Sequence, residues 1–260
     1  MIPTFYNSAC VCVPYRLVQP GGGWGKVALQ VRWALFHHPS HGFVMVDTGY
    51  TPAVTQGGSW ALRAYAHVLG PQLFAQGQPM AVLAANGLSP EDIGTVIVTH
   101  YHADHIAGLR DFPNARLIAP GQGHDAGLRH GVFRELLPSD FAARHQPFES
   151  CAPCEWQGIQ ARDVFGDGEV LAVPLGGHAK GQHGLWFAQA QVFYAVDVEW
   201  TLPALDPQIG RPLAGALIAD DRRAVDQSRA FVWGLMQQGI QVVLCHDPAP
   251  TRWDAPKVMI

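Results

Sequence analysis

Between Thr99 and His105 the chain reads Thr-His-Tyr-His-Ala-Asp-His, which places His100, His102, Asp104 and His105 within six consecutive residues. Imidazoles and carboxylates are the ligands that zinc, iron and manganese take from proteins. Groups this close in sequence surround one point only if the backbone turns sharply. The spacing divides them into two half-sites, His100 with His102 and Asp104 with His105, and neither is complete. Three candidates could complete them, each at the end of an apolar run. His178 follows Val170–Leu175 and two glycines, Asp197 follows Val192–Val196, and His246 follows Val242–Cys245. A single histidine or aspartate at such a place is ordinarily a core residue, a turn or a helix cap. The same event repeated along the chain points to one shared metal site.

The elements that must position these residues are legible in part. Thr95–Thr99 is a short run of β-formers that delivers the chain into His100. Val27–Phe36 and Gly42–Val46, joined by Pro-Ser-His-Gly, read as a hairpin that ends in Asp47-Thr48-Gly49. Ala61–Ala85 shows helical spacing, broken near Gly70-Pro71 and Gly77-Gln78-Pro79. Ser89 and Pro90 carry the chemistry of a helix start. Arg116–Ala119, Gly168–Pro174, His183–Ala188, Gln191–Val196 and Gln241–Cys245 are further strands. Asp221–Gly239 is a helix capped by Asp220 or Asp221. Strands first, then alternating strands and helices, fit an α/β fold layered αββα, in one domain spanning residues 1–260.

With the motifs in view, the sequence resembles the metallo-β-lactamase superfamily, and within it the acyl-homoserine lactonase-like hydrolases. The resemblance covers most of the chain. It rests on Val46-Asp47-Thr48-Gly49, the H-x-H-x-D-H loop, the stretch from Gly177-His178 to Gly184-Leu185, Asp197, and Cys245-His246-Asp247. It implies a four-layer sandwich with two divalent ions, zinc first, with manganese or iron as alternatives. His100, His102 and His178 would hold one ion and Asp104, His105 and His246 the other, with Asp197 bridging them and Asp47 behind them. Two ions about 3.5–4 Å apart share a hydroxide at neutral pH, so no Ser or Cys nucleophile is needed. The implied reaction is hydrolysis of a lactone or other carboxylic ester, with Asp104 steadying the hydroxide. One position departs: the lactonases carry a tyrosine three residues after the bridging aspartate, and here it is Trp200. An indole N–H donates a hydrogen bond but cannot pass on a proton as a phenol can. A small-molecule phosphodiesterase or thioesterase is the nearest other reading. An iron-dependent oxygenase of the same fold stands further off.

Other residues invite weaker roles. His183 is a candidate for supporting a ligand from behind or for donating to a leaving group. Lys180, Arg222 and Arg223 are candidates for a substrate carboxylate. Phe5, Tyr6, Trp24, Trp60, Trp200 and Trp253 are candidates for pocket walls. Cys151-Ala-Pro-Cys154 is a C-x-x-C without a second pair, and reduced loop cysteines are expected there. Cys245 reads as a small buried hydrophobe. The net charge of −4 and the absence of like-charge blocks give no electrostatic reason to expect nucleic acid or an anionic membrane. Five cysteines, an odd count, and no recognisable signal segment or apolar span lead to the expectation of a cytoplasmic protein without disulfides. Residues 120–154 have the length of a substrate-covering or subunit-contacting segment, and a homodimer is compatible with it.

Overall fold

The computed structural model describes residues 1–256. Its first sheet contains β1 (Thr4–Pro14), β2 (Lys26–His38), β3 (Gly42–Val46), β4 (Gln72–Leu73), β5 (Ile93–Ile97), β6 (Arg116–Ala119) and β7 (His145–Pro147), in the spatial order β4-β1-β2-β3-β5-β6-β7. The second contains β8 (Ala152–Trp156), β9 (Ile159–Asp163), β10 (Val170–Pro174), β11 (His183–Phe187), β12 (Val192–Val196) and β13 (Gln241–Leu244), in the order β13-β12-β11-β10-β9-β8. β3, β5, β6 and β7 run parallel, as do β12 and β13, so several strands present their carboxyl ends together. The helices are α1 (Tyr15–Val18), α2 (Pro52–Thr55), α3 (Trp60–Leu69), α4 (Pro79–Ala85), α5 (Ala103–Ile106), α6 (Phe141–Arg144), α7 (Leu213–Ile218) and α8 (Arg222–Gln237).

Period-two alternation sends the strand side chains to two faces, and three apolar clusters result. Between the sheets, Phe36, Val44, Val46 and Ile97 meet Leu185, Phe187, Tyr194 and Val243. On the outer face of the first sheet, Val31, Trp33 and Met45 pack under Leu62 of α3 and Val82 and Leu83 of α4. On the outer face of the second, Val173, Phe193 and Leu244 pack under Val232 and Leu235 of α8. This is the expected αββα layering. Asp221 caps α8 through its side chain, which accepts from Arg223 N and Ala224 N. No helix among the described residues is long and apolar enough to cross a membrane.

Some elements differ from the sequence reading. The Ala61–Ala85 stretch is α3 and α4 separated by β4 and a 3-10 turn, and Ser89 opens a 3-10 turn, Pro90–Asp92, rather than a longer helix. β1 and the β8–β9 hairpin have no counterpart in that reading. The hairpin turns on Gln157 and Gly158, both at positive φ (51° and 74°), which matches the twist of two-residue hairpins. The C-x-x-C pair is divided by its strand: Cys151 lies in the core between the sheets, whereas Cys154 packs against the outer face. The two thiols are therefore separate free cysteines.

Arg32, fully buried in β2, ties the last strand's loop to the first sheet. Its Nη1 donates to Leu244 O at 3.0 Å and Asp247 O at 2.7 Å, its Nη2 to Ala249 O at 2.7 Å, and its Nε to Asp254 Oδ1 at 2.9 Å. His246 sits between these anchored carbonyls. Arg32→Met would leave the carbonyls and Asp254 without donors, and removing one partner of such a buried network costs about 3–5 kcal/mol. Urea unfolding should show a loss of that order. Arg32→Lys should recover little, because one ammonium cannot reproduce the planar fork.

Candidate metal centre

β5 ends at Ile97, and Val98 and Thr99 carry the chain to His100, which begins the loop into α5. The turn that this loop needs is built by Asp47 and Thr48 at the end of β3. Thr48 N and Oγ1 both donate to His105 O, at 2.9 and 3.0 Å. Thr48 Oγ1 in turn accepts from Gly108 N at 2.9 Å. Asp47 has φ 55°, a left-handed conformation that aspartate tolerates better than most residues. It is completely buried, and its carboxylate accepts from Thr99 N at 2.8 Å and faces His105 Nδ1 at 2.8 Å. His105 Nδ1–H is thereby committed, and its Nε2 lone pair points inward.

The other ligand candidates arrive by similar devices. Val196 has φ 53°, costly for a β-branched residue, at an irregularity in the β12–β13 register that immediately precedes Asp197. His178 rides on the β10–β11 connection behind Gly177. That glycine has φ 115°, and a Cβ there would stand 2.1 Å from Val225 N of α8. His246 donates from Nδ1 to Gln30 O at 2.6 Å, which again turns Nε2 inward.

These residues converge. Oδ2 of Asp197 lies 3.8 Å from His100 Nε2, 3.4 Å from His105 Nε2, 3.4 Å from His178 Nε2 and 3.1 Å from His246 Nε2. His102 Nδ1 lies 3.1 Å from His100 Nε2 and 3.0 Å from His178 Nε2. Asp104 Oδ2 is 3.3 Å from His246 Nε2 and 3.7 Å from His105 Nε2. Ligand atoms of His100, His102, His178 and Asp197 fall within 4.8 Å of one another, and so do those of His105, Asp197, Cys245 and His246. Cys245 belongs to the second group by distance, although its thiol donates to Arg32 O at 3.5 Å and its side chain lies in the core between the sheets.

Two buried atoms of this cluster, His105 Nε2 and Asp197 Oδ1, have no hydrogen-bond partner. Buried lone pairs converging without donors are costly by themselves, and divalent cations neutralise them. The donor set, imidazole nitrogens and carboxylate oxygens with tautomers fixed from behind, fits such ions.

Protonation follows from burial and neighbours. Burial, reinforced by adjacent imidazoles, holds His100 far below its usual pKa and lowers His178 to about 3. For His105 and His246 burial acts in the same direction but is outweighed by carboxylates, Asp47, Asp104 and Asp197 for the first and chiefly Asp197 for the second. Burial would raise Asp104 and Asp197, yet the facing His105 and His246 hold both below the usual carboxylate range.

The cluster forms one end of a cavity of about 470 Å³, lined on its apolar side by Val11, Val13, Leu29, Leu69, Leu217 and Ile218. Trp200 lines it too, its indole edge-on to His246 at 5.9 Å between centroids. The other expected walls lie elsewhere. Phe5 is in the core between the sheets, Tyr6 stacks on Trp33, Trp24 and Trp60 are exposed on the surface, and Trp253 packs against the inner core. Lys180, Arg222 and Arg223 do not line the cavity. His183 is a correction: its Nδ1 donates to Gly181 O at 2.8 Å, its ring packs on Phe148, and it lines a different cavity with Arg162 and Glu149. Position 183 opens β11, and the strand's alternation turns the side chain away from the ligands; only its backbone N–H, donating to Thr99 O at 3.1 Å, reaches towards the site. Three lining residues carry no motif that singles them out in the sequence: Tyr50, Tyr65 and His130. Tyr50 adjoins Asp47-Thr48-Gly49, and that adjacency is the one signal available for it.

Asp47→Asn keeps the shape but replaces one carboxylate oxygen by an NH2 that cannot accept, so Thr99 N–H or His105 Nδ1–H loses its acceptor. Metal affinity, titrated against a chromogenic chelator, should fall about 10- to 100-fold. A second expectation concerns pH. An unfolded histidine titrates near 6.5, whereas His178 in the fold does so near 3, so the unfolded chain binds the extra proton between these values. His178 therefore favours the fold fully above pH 6.5 and loses that contribution as the pH falls towards 3. In chelator-treated protein, acidification from pH 7 to 4 should destabilise the wild type more than His178→Gln, as read by urea midpoints.

Comparison with known proteins agrees with this architecture. Residues 30–214 match the metallo-beta-lactamase superfamily. An N-acyl homoserine lactonase AttM from Azorhizobium caulinodans is 25% identical over 249 residues, covering 91% of this chain and 89% of that protein. Metallo-beta-lactamase domain-containing protein 1 of Mus musculus is 37% identical over 91 residues, a third of each chain (33% and 33%). Among solved structures, an N-acyl homoserine lactone hydrolase with N-hexanoyl-L-homoserine at its catalytic metal centre superposes with a TM-score of 0.72 at 18% identity, covering 95% of this chain and 93% of that one. AidC, a dizinc quorum-quenching lactonase, gives 0.63 at 14% identity over 95% and 87%. The match across most of the sheets, and the arrangement of the motifs that the strands carry to one point, make this chain a member of the metallo-β-lactamase superfamily.

Proposed function

We propose that this metal-dependent hydrolase holds two divalent ions and cleaves a lactone or a related carboxylic ester. The observation that carries the reading is the sharing of Asp197 Oδ2 between two adjoining sets of ligand atoms, in a cavity that also offers an apolar wall of Val11, Val13, Leu29, Leu69, Leu217 and Ile218. The ligands would be His100, His102 and His178 on one side, Asp104, His105 and His246 on the other, and Asp197 between them. Zinc suits this set, with manganese or iron as alternatives, and AidC is a dizinc protein. Such a pair of ions supplies a water deprotonated near neutral pH and a Lewis acid for the ester carbonyl.

The chain's own residues do the rest. Asp104, held as a carboxylate, would orient the nucleophile, take the O–H proton that remains after attack, and return it to the departing alkoxide, leaving a carboxylate and an alcohol. Asp47 and Gln30 O keep His105 and His246 in the tautomers that face inward. Val11, Val13, Leu29, Leu69, Leu217 and Ile218 offer an acyl chain an apolar path and exclude water from it. Trp200 stands against His246, where its N–H is available to a substrate oxygen. The lactonase relatives favour the lactone within this ester class.

The test is proton release from N-acyl homoserine lactones by protein loaded with zinc, manganese or cobalt. Turnover is expected, with Asp104→Asn lowering kcat about 10²- to 10⁴-fold and Asp197→Asn abolishing both turnover and binding of the second ion. Two ions per chain without turnover of lactones or aryl esters would overturn the ester reading. A single ion would overturn the dinuclear one.

A further inference from the structure

Tyr50, buried, and Tyr65, half-buried, stand on the wall of the metal-site cavity with their hydroxyl oxygens 2.6 Å apart. They come from different elements. Tyr50 follows the turn that holds His105, and its backbone N–H donates to Ser8 Oγ at 3.0 Å. Tyr65 projects from α3 and packs on Phe133 at 4.9 Å between centroids. Two phenols carry two O–H groups, and the bond between them consumes one. Among the described residues neither hydroxyl has another hydrogen-bond partner, so one O–H lacks an acceptor. A spare donor on a substrate-sized cavity is a binding feature, because burying it unused is unfavourable.

The direction of the pair follows from exposure. Tyr50 is only 2% exposed, whereas Tyr65 is partly exposed. With the more buried Tyr50 as the donor of the bond between them, the Tyr65 hydroxyl hydrogen is left to the cavity. The cavity lining that holds both rings also holds Asp104, Asp197, His178 and His246. Resting on the ester-hydrolase reading, we propose that Tyr65, oriented by Tyr50, is a catalytic residue that donates a hydrogen bond to an ester oxygen of the substrate as that oxygen gains charge. Tyr50 is the positioning residue. No covalent bond and no proton transfer is involved at either phenol: the donor O–H stays intact and its hydrogen bond shortens as negative charge builds. Burial, with the Asp104 carboxylate nearby, raises both phenols above their ordinary pKa, consistent with donors that never act as bases.

The two are tested with Tyr65→Phe and Tyr50→Phe in zinc-loaded protein, on a lactone and an aryl ester. Each substitution keeps the ring and removes only the oxygen. Tyr65→Phe should lower kcat by roughly 100-fold with little change in KM, because the bond strengthens in the transition state. Tyr50→Phe should give a smaller loss, because the Tyr65 donor remains but loses its orientation. Metal content and thermal midpoint should match the wild type in both, a result that a purely structural role would not give. Wild-type turnover with an unchanged kcat in Tyr65→Phe overturns this assignment and leaves the ester reading intact. A rise in KM alone overturns the transition-state role. A wild type inactive on every ester overturns the ester reading and this assignment with it.

Discussion

Four imidazole nitrogens stand 3.1–3.8 Å from one oxygen, Oδ2 of Asp197, and all five side chains are buried. Few arrangements in a protein are so demanding. Neutral imidazoles aiming lone pairs at a carboxylate repel it, and protonated ones crowd each other. Burial lowers His100 and His178 while carboxylates raise His105 and His246, so the cluster resolves the conflict unevenly when only protein groups are counted. Divalent cations between the ligands would remove the conflict in one step. The remainder of the fold is the scaffold that keeps these groups converging.

That scaffold works by anchoring each ligand-bearing loop to neighbouring elements. Asp47 and Thr48 of the first sheet hold the His100–His105 loop from below. Arg32, also of the first sheet, reaches across to the segment that carries His246. Asp247 closes a further link by accepting from Leu202 N, which fixes the loop that bears Trp200. Gly177 lets the His178 loop lie against the first turn of α8 where any side chain would collide. The second sheet's His246 therefore depends on contacts made by the first. Left-handed backbone at Asp47 and Val196 is tolerated because these contacts over-determine it.

The residues that converge on the candidate metal centre are legible because their chemistry is local. Three histidines and an aspartate packed into one loop after an apolar strand make a poor core and an improbable surface turn, but a good metal half-site. His178, Asp197 and His246 each follow a strand that periodicity reveals, and the layering was legible for the same reason. The supporting and lining residues were harder. Arg32 looks like one charged residue in a strand, and nothing nearby in sequence announces the carbonyls of Leu244, Asp247 and Ala249 that it binds. Tyr65 lies in a helix whose neighbours only the fold supplies, and β1 carries too irregular an alternation, with a register shift between Asn7 and Cys10, to stand out. His183 is the converse case: the sequence offers it as a support for a ligand, and the strand's alternation turns its ring to Gly181 O and another cavity.

Reaction choice must then lie in the walls rather than at the centre. The ligand set is the part that suits many hydrolytic reactions, since a deprotonated water and a Lewis acid serve carbonyl and phosphoryl centres alike. What distinguishes this cavity is its asymmetry. One part of the lining is apolar and drawn from β1, β2, the end of α3 and α7; another contributes Asp104, His130 and Asp220. A compact dianionic phosphate would meet carboxylates and leave the apolar side unused. An ester with an apolar acyl group would cover that side and place a neutral carbonyl at the ligands, which costs little desolvation. The same asymmetry accounts for Trp200 at its position: beside His246 an indole adds apolar surface while keeping a donor, and the phenols on the cavity wall are those of Tyr50 and Tyr65.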